Sequence, residues 1–228
     1  CVDKYSFSRE EMDAFAIESV TRAQKAVTSG VFGAEIAPVT VTSRKGEEVI
    51  ALDETPMKCD ASKITKLKPA FKKDGAVTPA NSSSISDGAA AFVLMRESDA
   101  KSRGITPLAR IVGHATFAHD PAWFTTAPVF AFQNLLKKVG WQTTDVDLWE
   151  INEAFAAVTM ASMRDLALPH DRVNVNGGAC ALGHPIGATG SRILVTLLYA
   201  LKARGLKRGI AGLCAGGGEA TAIAIEVL

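Results

Sequence analysis

The sequence predicts a layered α/β fold, and three observations carry that prediction. From about residue 107 onward, short apolar runs of strand length alternate with amphipathic stretches of helix length. The final apolar run, at 221–227, and those at 148–151 and 209–214 have the near-continuous hydrophobic character of strands buried on both faces. Hydrophobic residues make up 47% of the 228, which is ample for a sizeable core.

The elements follow in order. Ser8 with Glu11 three residues on makes a capping box, and Met12, Phe15, Ala16, Val20, Ala23 and Val27 recur at helical spacing until Gly30, placed as a C′ glycine. That helix starts abruptly near the first residue, so further residues upstream are expected. Residues 36–42 and 48–52 read as two short strands around a turn at Arg44-Lys45-Gly46. A polar, broken segment that does not read as core runs from there to Ser86. Its Lys63, Lys66, Lys68, Lys72 and Lys73 read as a solvated face or as a phosphate-facing patch. Residues 88–95 are continuously apolar and predict a doubly buried strand, and Ser98 predicts the cap of a short helix ending at Gly104. Beyond it the pattern predicts strands at 108–113, 148–151, 173–176, 209–214 and 221–227. Helices are predicted at 128–139, with Pro128 in the first turn, and at 153–166 and 187–204.

Charge and cysteine usage exclude several classes of function. Lys and Arg number 25 against 24 Asp and Glu, so no general field favours nucleic acid or an anionic membrane. No apolar run reaches membrane-spanning length, and the first residues lack the basic and apolar regions of a signal peptide. Cys1, Cys59, Cys180 and Cys214 are scattered without C-x-x-C spacing, which suggests free thiols, no zinc site and a reducing, cytoplasmic compartment.

Chemistry concentrates in three places, each read as lying just past the carboxyl end of a predicted strand, where open α/β sheets hold ligands. Asn152 follows the strand at 148–151 and reads either as a polar site residue or as the N-cap of the next helix. His184 stands between Gly183 and Pro185, within a stretch that has five glycines in fourteen residues, 177–190. Each such glycine weakens a regular element by up to ~1 kcal/mol, so the run indicates close backbone approach, and imidazole is the side chain that exchanges protons near neutrality. The alternative is a histidine that only bonds a turn. Cys214 precedes Ala215-Gly216-Gly217-Gly218, where successive N–H groups can form an oxyanion hole and lower a thiol pKa. A buried core cysteine before a flexible turn is the other reading.

Together Asn152-Glu153-Ala154-Phe155, Gly183-His184-Pro185 and Cys214-Ala215-Gly216-Gly217-Gly218 resemble the motifs of the thiolase family, in that family's order. Supporting segments include Leu67-Lys68-Pro69-Ala70-Phe71 and Asn81-Ser82-Ser83-Ser84. The resemblance covers essentially the whole chain but only the later part of a thiolase. It implies a layered αβαβα fold, with 1–85 as a loop or lid region contacting coenzyme A, 86–106 as a returning piece of the first half, and 107–228 as the C-terminal domain. It also implies an acyltransferase that joins two acetyl-CoA into acetoacetyl-CoA and CoA, or reverses that step, as a homodimer or homotetramer. Coenzyme A thioesters are its substrates, with no metal and no further cofactor.

By the same resemblance, His184 activates a nucleophilic cysteine and Cys214 is the acid/base that moves the α-proton. Gly216 lends its N–H to an oxyanion hole, and Asn152 holds a water that acts with His184 on the enolate oxygen. Ser83, Phe71 and Phe155 would meet the pantetheine, while Phe124 shapes the acyl pocket. None of the four cysteines matches the family's nucleophile. Cys180 is the one rival, and small apolar residues at its position favour packing. Three other readings stay open: a broader 3-ketoacyl-CoA thiolase, a decarboxylating β-ketoacyl synthase, and a non-catalytic CoA-binding fragment or subunit. Cys214 argues against the synthase, because a condensation without decarboxylation needs a base there.

Overall fold

A computed structural model describes residues 1–228. After a single turn, α1 (Val2–Tyr5), the first long element is α2 (Arg9–Thr28). Its start is fixed by the expected capping box: Glu11 N–H donates to Ser8 Oγ at 3.1 Å, and Ser8 N–H donates to Glu11 Oε2 at 2.7 Å. Gly30 lies just past the helix at φ +74°, a left-handed conformation that glycine adopts freely. Met12 and Phe15 of α2 pack with Ala156, Ala157 and Ala161 in one buried cluster, while Ala16, Val20 and Ala23 pack with Ile64 and Ala181 in another. Ile64 is thus a core residue inside the polar segment, which alternation alone did not single out.

Strands β1 (Val39–Ser43) and β2 (Gly46–Ile50) form an antiparallel hairpin, with Val39 opposite Ile50 and Ser43 opposite Gly46. Then come two short helices, α3 (Glu54–Lys58) and α4 (Glu97–Ser102). Between them the expected strand at 88–95 does not form: those residues are extended chain without a ladder partner, and Val93 is 84% exposed. A strand exists only where a neighbour takes its N–H and C=O groups, and no strand of this chain hydrogen-bonds to the run. The cap of α4 is Arg96 rather than Ser98.

The remaining elements build one mixed sheet. In order they are β3 (Ala109–Ala118), α5 (Ala127–Val139), β4 (Leu148–Ile151), α6 (Ala156–Asp165), the single turn α7 (Ala179–Leu182), α8 (Thr189–Arg204), β5 (Arg208–Cys214) and β6 (Glu219–Val227). Strand order is β3-β6-β5-β4, with β4 and β5 parallel and the other pairs antiparallel. Helices cover both faces. On one side Phe132 and Leu135 of α5 pack on Trp149, Ile151, Ile210, Ala222 and Ala224; on the other, Ile193, Leu197 and Leu201 of α8 pack on Leu148, Ala211 and Ile225. The period-2 alternation of the strands decides these assignments, and it turns Glu150 toward α8 with its neighbours Leu148 and Ala211.

Two expectations shift here. The strand at 173–176 reduces to a single bridge between Trp149 and Val173. The helix expected from 153 begins at Ala156, because 152–155 stay extended and pair with the loop at 81–83: Ser83 N–H donates to Ala154 O at 3.1 Å and Ala156 N–H to Asn81 O at 2.9 Å.

Candidate active site

Because β4 and β5 are parallel, their carboxyl ends lie at the same edge of the sheet. Asn152 follows β4 there and its N–H donates to Gly212 O of β5 at 3.0 Å; Cys214 ends β5 two residues further on. Asn152 is therefore no helix cap, since the helix after it starts four residues later and is capped at Phe155. Its side chain is fully buried, and Oδ1 has no hydrogen-bond partner in the protein. An orphaned polar atom at that depth is costly, and this one leaves an acceptor at the sheet end free to bond a polar ligand.

His184 reaches the same edge from a different element than expected. It follows α7, not a strand, and its chain direction is set by Gly183 at φ +89°, where only glycine is comfortable and where a Cβ would also press on the Ser86 side chain. The backbone is then clamped to the loop at 84–86, with His184 N–H donating to Ser84 O at 2.9 Å. The imidazole is oriented by Thr189, the first residue of α8. Thr189 Oγ1 donates to Pro185 O at 3.0 Å, so its oxygen accepts from His184 Nδ1–H at 2.7 Å. That assignment leaves Nε2 as the lone-pair nitrogen, 3.5 Å from Asn152 Nδ2. Burial first, and then the charge of Arg192, hold His184 below the ordinary histidine range, so the ring is neutral and able to accept a proton at pH 7.

The loop that delivers His184 hangs on a buried carboxylate. Glu153 is 1% exposed and accepts from Ser19 Oγ of α2 at 2.8 Å, Asn174 Nδ2 at 2.8 Å and Cys180 N–H at 3.0 Å. Ser19 Oγ in turn accepts from Gly178 N–H at 3.0 Å. A Cβ at Gly178 would run into this carboxylate, 2.6 Å from Oε2, which is why no larger residue fits there. Sequence reasoning missed Ser19, Asn174 and Thr189; the signal available was a hydroxyl five residues after His184, at the expected start of a helix.

Cys214 is 6% exposed, and burial pushes its thiol up to about 11. The lowered pKa that the glycine run suggested is not found. No glycine N–H hydrogen-bonds this sulfur, and burial at the apolar strand end disfavours a thiolate. Beyond it Ala215–Gly218 close a turn through Gly218 N–H to Ala215 O at 3.1 Å, and Gly218 takes φ +103°. Gly216 faces open space, and its N–H has no acceptor within the protein. Cys180 is half-buried against the Glu153 backbone carbonyl, and burial pushes its thiol well above the usual range, in keeping with packing.

Of the four residues expected to meet coenzyme A or the acyl group, three share one cavity of about 340 Å³: Phe71, Phe124 and Phe155 line it, together with Cys1, Lys72 and Ala157. Phe124 and Phe155 meet edge to face at 6.5 Å, whereas Phe71 is 76% exposed at the mouth. Ser83 lies outside the lining, and its hydroxyl donates to Ala154 O at 3.1 Å. No group of three or more His, Cys, Asp or Glu is arranged to hold a metal ion, and no helix is long and apolar enough to cross a membrane.

Comparison with known proteins places this arrangement. Residues 105–227 match the family model "Thiolase, C-terminal domain" and residues 1–98 match "Thiolase, N-terminal domain". The chain is 48% identical over 229 residues to a probable acetyl-CoA acetyltransferase of Dictyostelium discoideum, covering 100% of this chain and 55% of that protein. With the acetyl-CoA acetyltransferase of Thiocystis violacea it shares 48% over 227 residues, 99% of this chain and 58% of the relative. The crystal structure of the Bacillus anthracis acetyl-CoA acetyltransferase superposes with a TM-score of 0.97 at 49% identity, covering 100% of this chain and 58% of that one. Human mitochondrial 3-ketoacyl-CoA thiolase gives 0.91 at 39%, with 100% and 58% covered. The chain thus spans a little over half the length of these relatives, has the α/β thiolase fold, and belongs to the thiolase family.

Proposed function

We propose that this chain carries the acid/base half of a thiolase active site, in a protein that condenses two acetyl-CoA to acetoacetyl-CoA and CoA, or cleaves acetoacetyl-CoA with CoA. The observation that carries the reading is the convergence at one sheet edge of Asn152, a tautomer-fixed neutral His184, and the buried thiol Cys214. Its Cys214 thiol is protonated at rest, so in cleavage it gives a proton to the departing carbanion as the acyl group passes to the nucleophilic sulfur. In condensation the same sulfur, once deprotonated, takes the α-proton of acetyl-CoA. The resulting carbanion attacks the acyl-cysteine carbonyl, the new C–C bond forms, and the nucleophilic thiolate leaves. Raised pKa makes the thiolate a stronger base, which a weakly acidic α-carbon needs. Nε2 of His184 accepts a proton from the nucleophilic thiol, Asn152 supports the enolate oxygen, and the free N–H of Gly216 stabilises an oxyanion.

The cavity lined by Phe71, Phe124 and Phe155 suits pantetheine and a short acyl group, and Ser83, bonded to Ala154 next to Phe155, joins them as a proposed contact for acetyl-CoA, acetoacetyl-CoA and CoA. One relative of known structure, the Acat5 thiolase of Ascaris suum at 40% identity, was solved in complex with coenzyme A. No cofactor beyond these thioesters is proposed. Cytoplasmic location and a homodimer or homotetramer complete the reading, with four free cysteines and an exposed hairpin at 39–50 as support.

Because none of the four cysteines fills the place of the nucleophile, the 228 residues alone should not turn over. Exposed Phe92, Val93, Leu94 and Met95 fit a strand that awaits neighbours from the remainder of a thiolase, whether on the same chain or another. The test is direct: protein of the relatives' full length should form or cleave acetoacetyl-CoA, and Cys214→Ala should nearly abolish turnover. Unchanged turnover in that variant rejects the acid/base role. A substrate series from four-carbon to long-chain 3-ketoacyl-CoA separates this reading from the broader 3-ketoacyl-CoA thiolase.

A further inference from the structure

Behind the proposed site lies a buried group that the mechanism does not use. On α8, Thr189, Arg192 and Thr196 share one face at helical spacing. Thr189 holds the His184 ring, and Thr196 Oγ1 donates to Glu35 Oε1 at 3.0 Å. Arg192 stands between them, with Nη1 and Nη2 both shut off from solvent and neither making a hydrogen bond. None of the ion pairs of the molecule includes it, so no carboxylate oxygen lies within 4.0 Å. Glu150, turned toward the same helix, likewise leaves Oε1 buried without a partner.

We propose that Arg192 is a positioning residue for His184, acting through an unpaired, walled-in positive charge that keeps the imidazole a proton acceptor. The inference rests on the catalytic reading of His184, but the charge effect itself can be tested without it.

A guanidinium locked to a carboxylate presents little net field to a third group; one left unpaired presents its whole charge, and the low dielectric of the interior extends its reach. The groups facing Arg192 from each surrounding element are Glu35 after the 3₁₀ turn at Val31–Ala34, Asp53 before α3, Glu150 on β4, Glu153 after it, and His184 itself. Burial pushes all four carboxyls up, Glu35 to about 7 and Glu150 to about 8, so at pH 7 Glu150 is largely and Glu35 about half protonated, and these two do not fully cancel the cation. Burial and Arg192 then act on His184 in the same direction, both disfavouring imidazolium. A histidine that must take a proton from a thiol gains from this, because it starts each cycle empty.

The experiment is an NMR titration of the 228-residue chain labelled with ¹⁵N-histidine, the His184 signals being assigned by their loss in His184→Asn. Wild-type His184 should titrate with a midpoint below 6.5 and show the Nδ1–H tautomer at pH 7. Arg192→Gln should raise that midpoint by about half a pH unit or more, roughly a threefold change in proton affinity, while Arg192→Lys should largely retain it. A midpoint unmoved in folded Arg192→Gln overturns the proposal. So does a wild-type midpoint at or above 6.5, whether or not the variant folds. Should the midpoint move as expected while His184→Asn leaves turnover of the full-length protein intact, the catalytic reading falls and the charge coupling stands.

Discussion

Replacing Glu150 by Gln should stabilise the protein in alkali and not in acid. Glu150 is 2% exposed, and burial, opposed by Arg192 and assisted by Glu153, pushes its carboxyl from 4.5 up to about 8. The sign follows from proton counts. Between pH 4.5 and about 8 the folded chain keeps a proton that the unfolded chain has released, so stability falls by about 1.4 kcal/mol per pH unit, and by about 5 kcal/mol across that window. Gln copies the neutral acid in shape but never ionises, so the variant escapes this loss. Against that stands one extra buried amide donor, which costs about 1–3 kcal/mol if it finds no acceptor. The net expectation is a variant equal to or slightly weaker than wild type at pH 5, and about 2–4 kcal/mol more stable at pH 8.5. Urea denaturation at pH 5, 7 and 8.5 measures it, since the difference between the two proteins isolates this one group from the others that titrate. Parallel pH profiles, or a variant that loses stability in alkali, would refute the reasoning: Glu150 would then be ionised and paired with Arg192.

Other outcomes follow from the same geometry. Gly178→Ala drives a methyl into the Glu153 carboxylate, and overpacking with broken hydrogen bonds should cost about 3–5 kcal/mol, lowering Tm by roughly 6–20 °C in a scanning calorimeter. Thr189→Val deletes the acceptor that fixes Nδ1–H of His184, leaving that donor buried; kcat/KM of the full-length protein should drop roughly 10- to 100-fold with little change in KM, read from steady-state thiolysis. Ser8→Ala removes half the capping box and should cost about 0.5–2 kcal/mol in urea unfolding, with turnover of the full-length protein unaffected.

Much of the fold was legible because strand and helix periods are properties of the chain itself. The α2 cap, the strand at 148–151 and the apolar strands that end in Cys214 and Val227 lie where the pattern put them, each satisfied within this chain. The run at 88–95 has the composition of a buried strand but no hydrogen-bonded partner strand here, and composition does not carry the partner. Residues 153–155 read as helix because nothing local forbids it; the pairing with 81–83 that holds them extended is a long-range fact. In the site, Asn152, His184 and Cys214 were legible from glycine spacing and motif. The glycines did not reveal the burial that raises the Cys214 thiol, nor did any local pattern flag Arg192, whose environment is assembled from four separate segments, around Glu35, Asp53, Glu150–Glu153 and His184.

The proton-handling role of Cys214 is tested most directly by deuterium exchange into the methyl group of acetyl-CoA, followed by mass spectrometry in D₂O with the full-length protein. Wild type should wash deuterium into that methyl. Cys214→Ala should not, while still showing the mass shift of an acetylated enzyme. Exchange that persists in Cys214→Ala at the wild-type rate would mean that another group moves the α-proton, and would contradict the account.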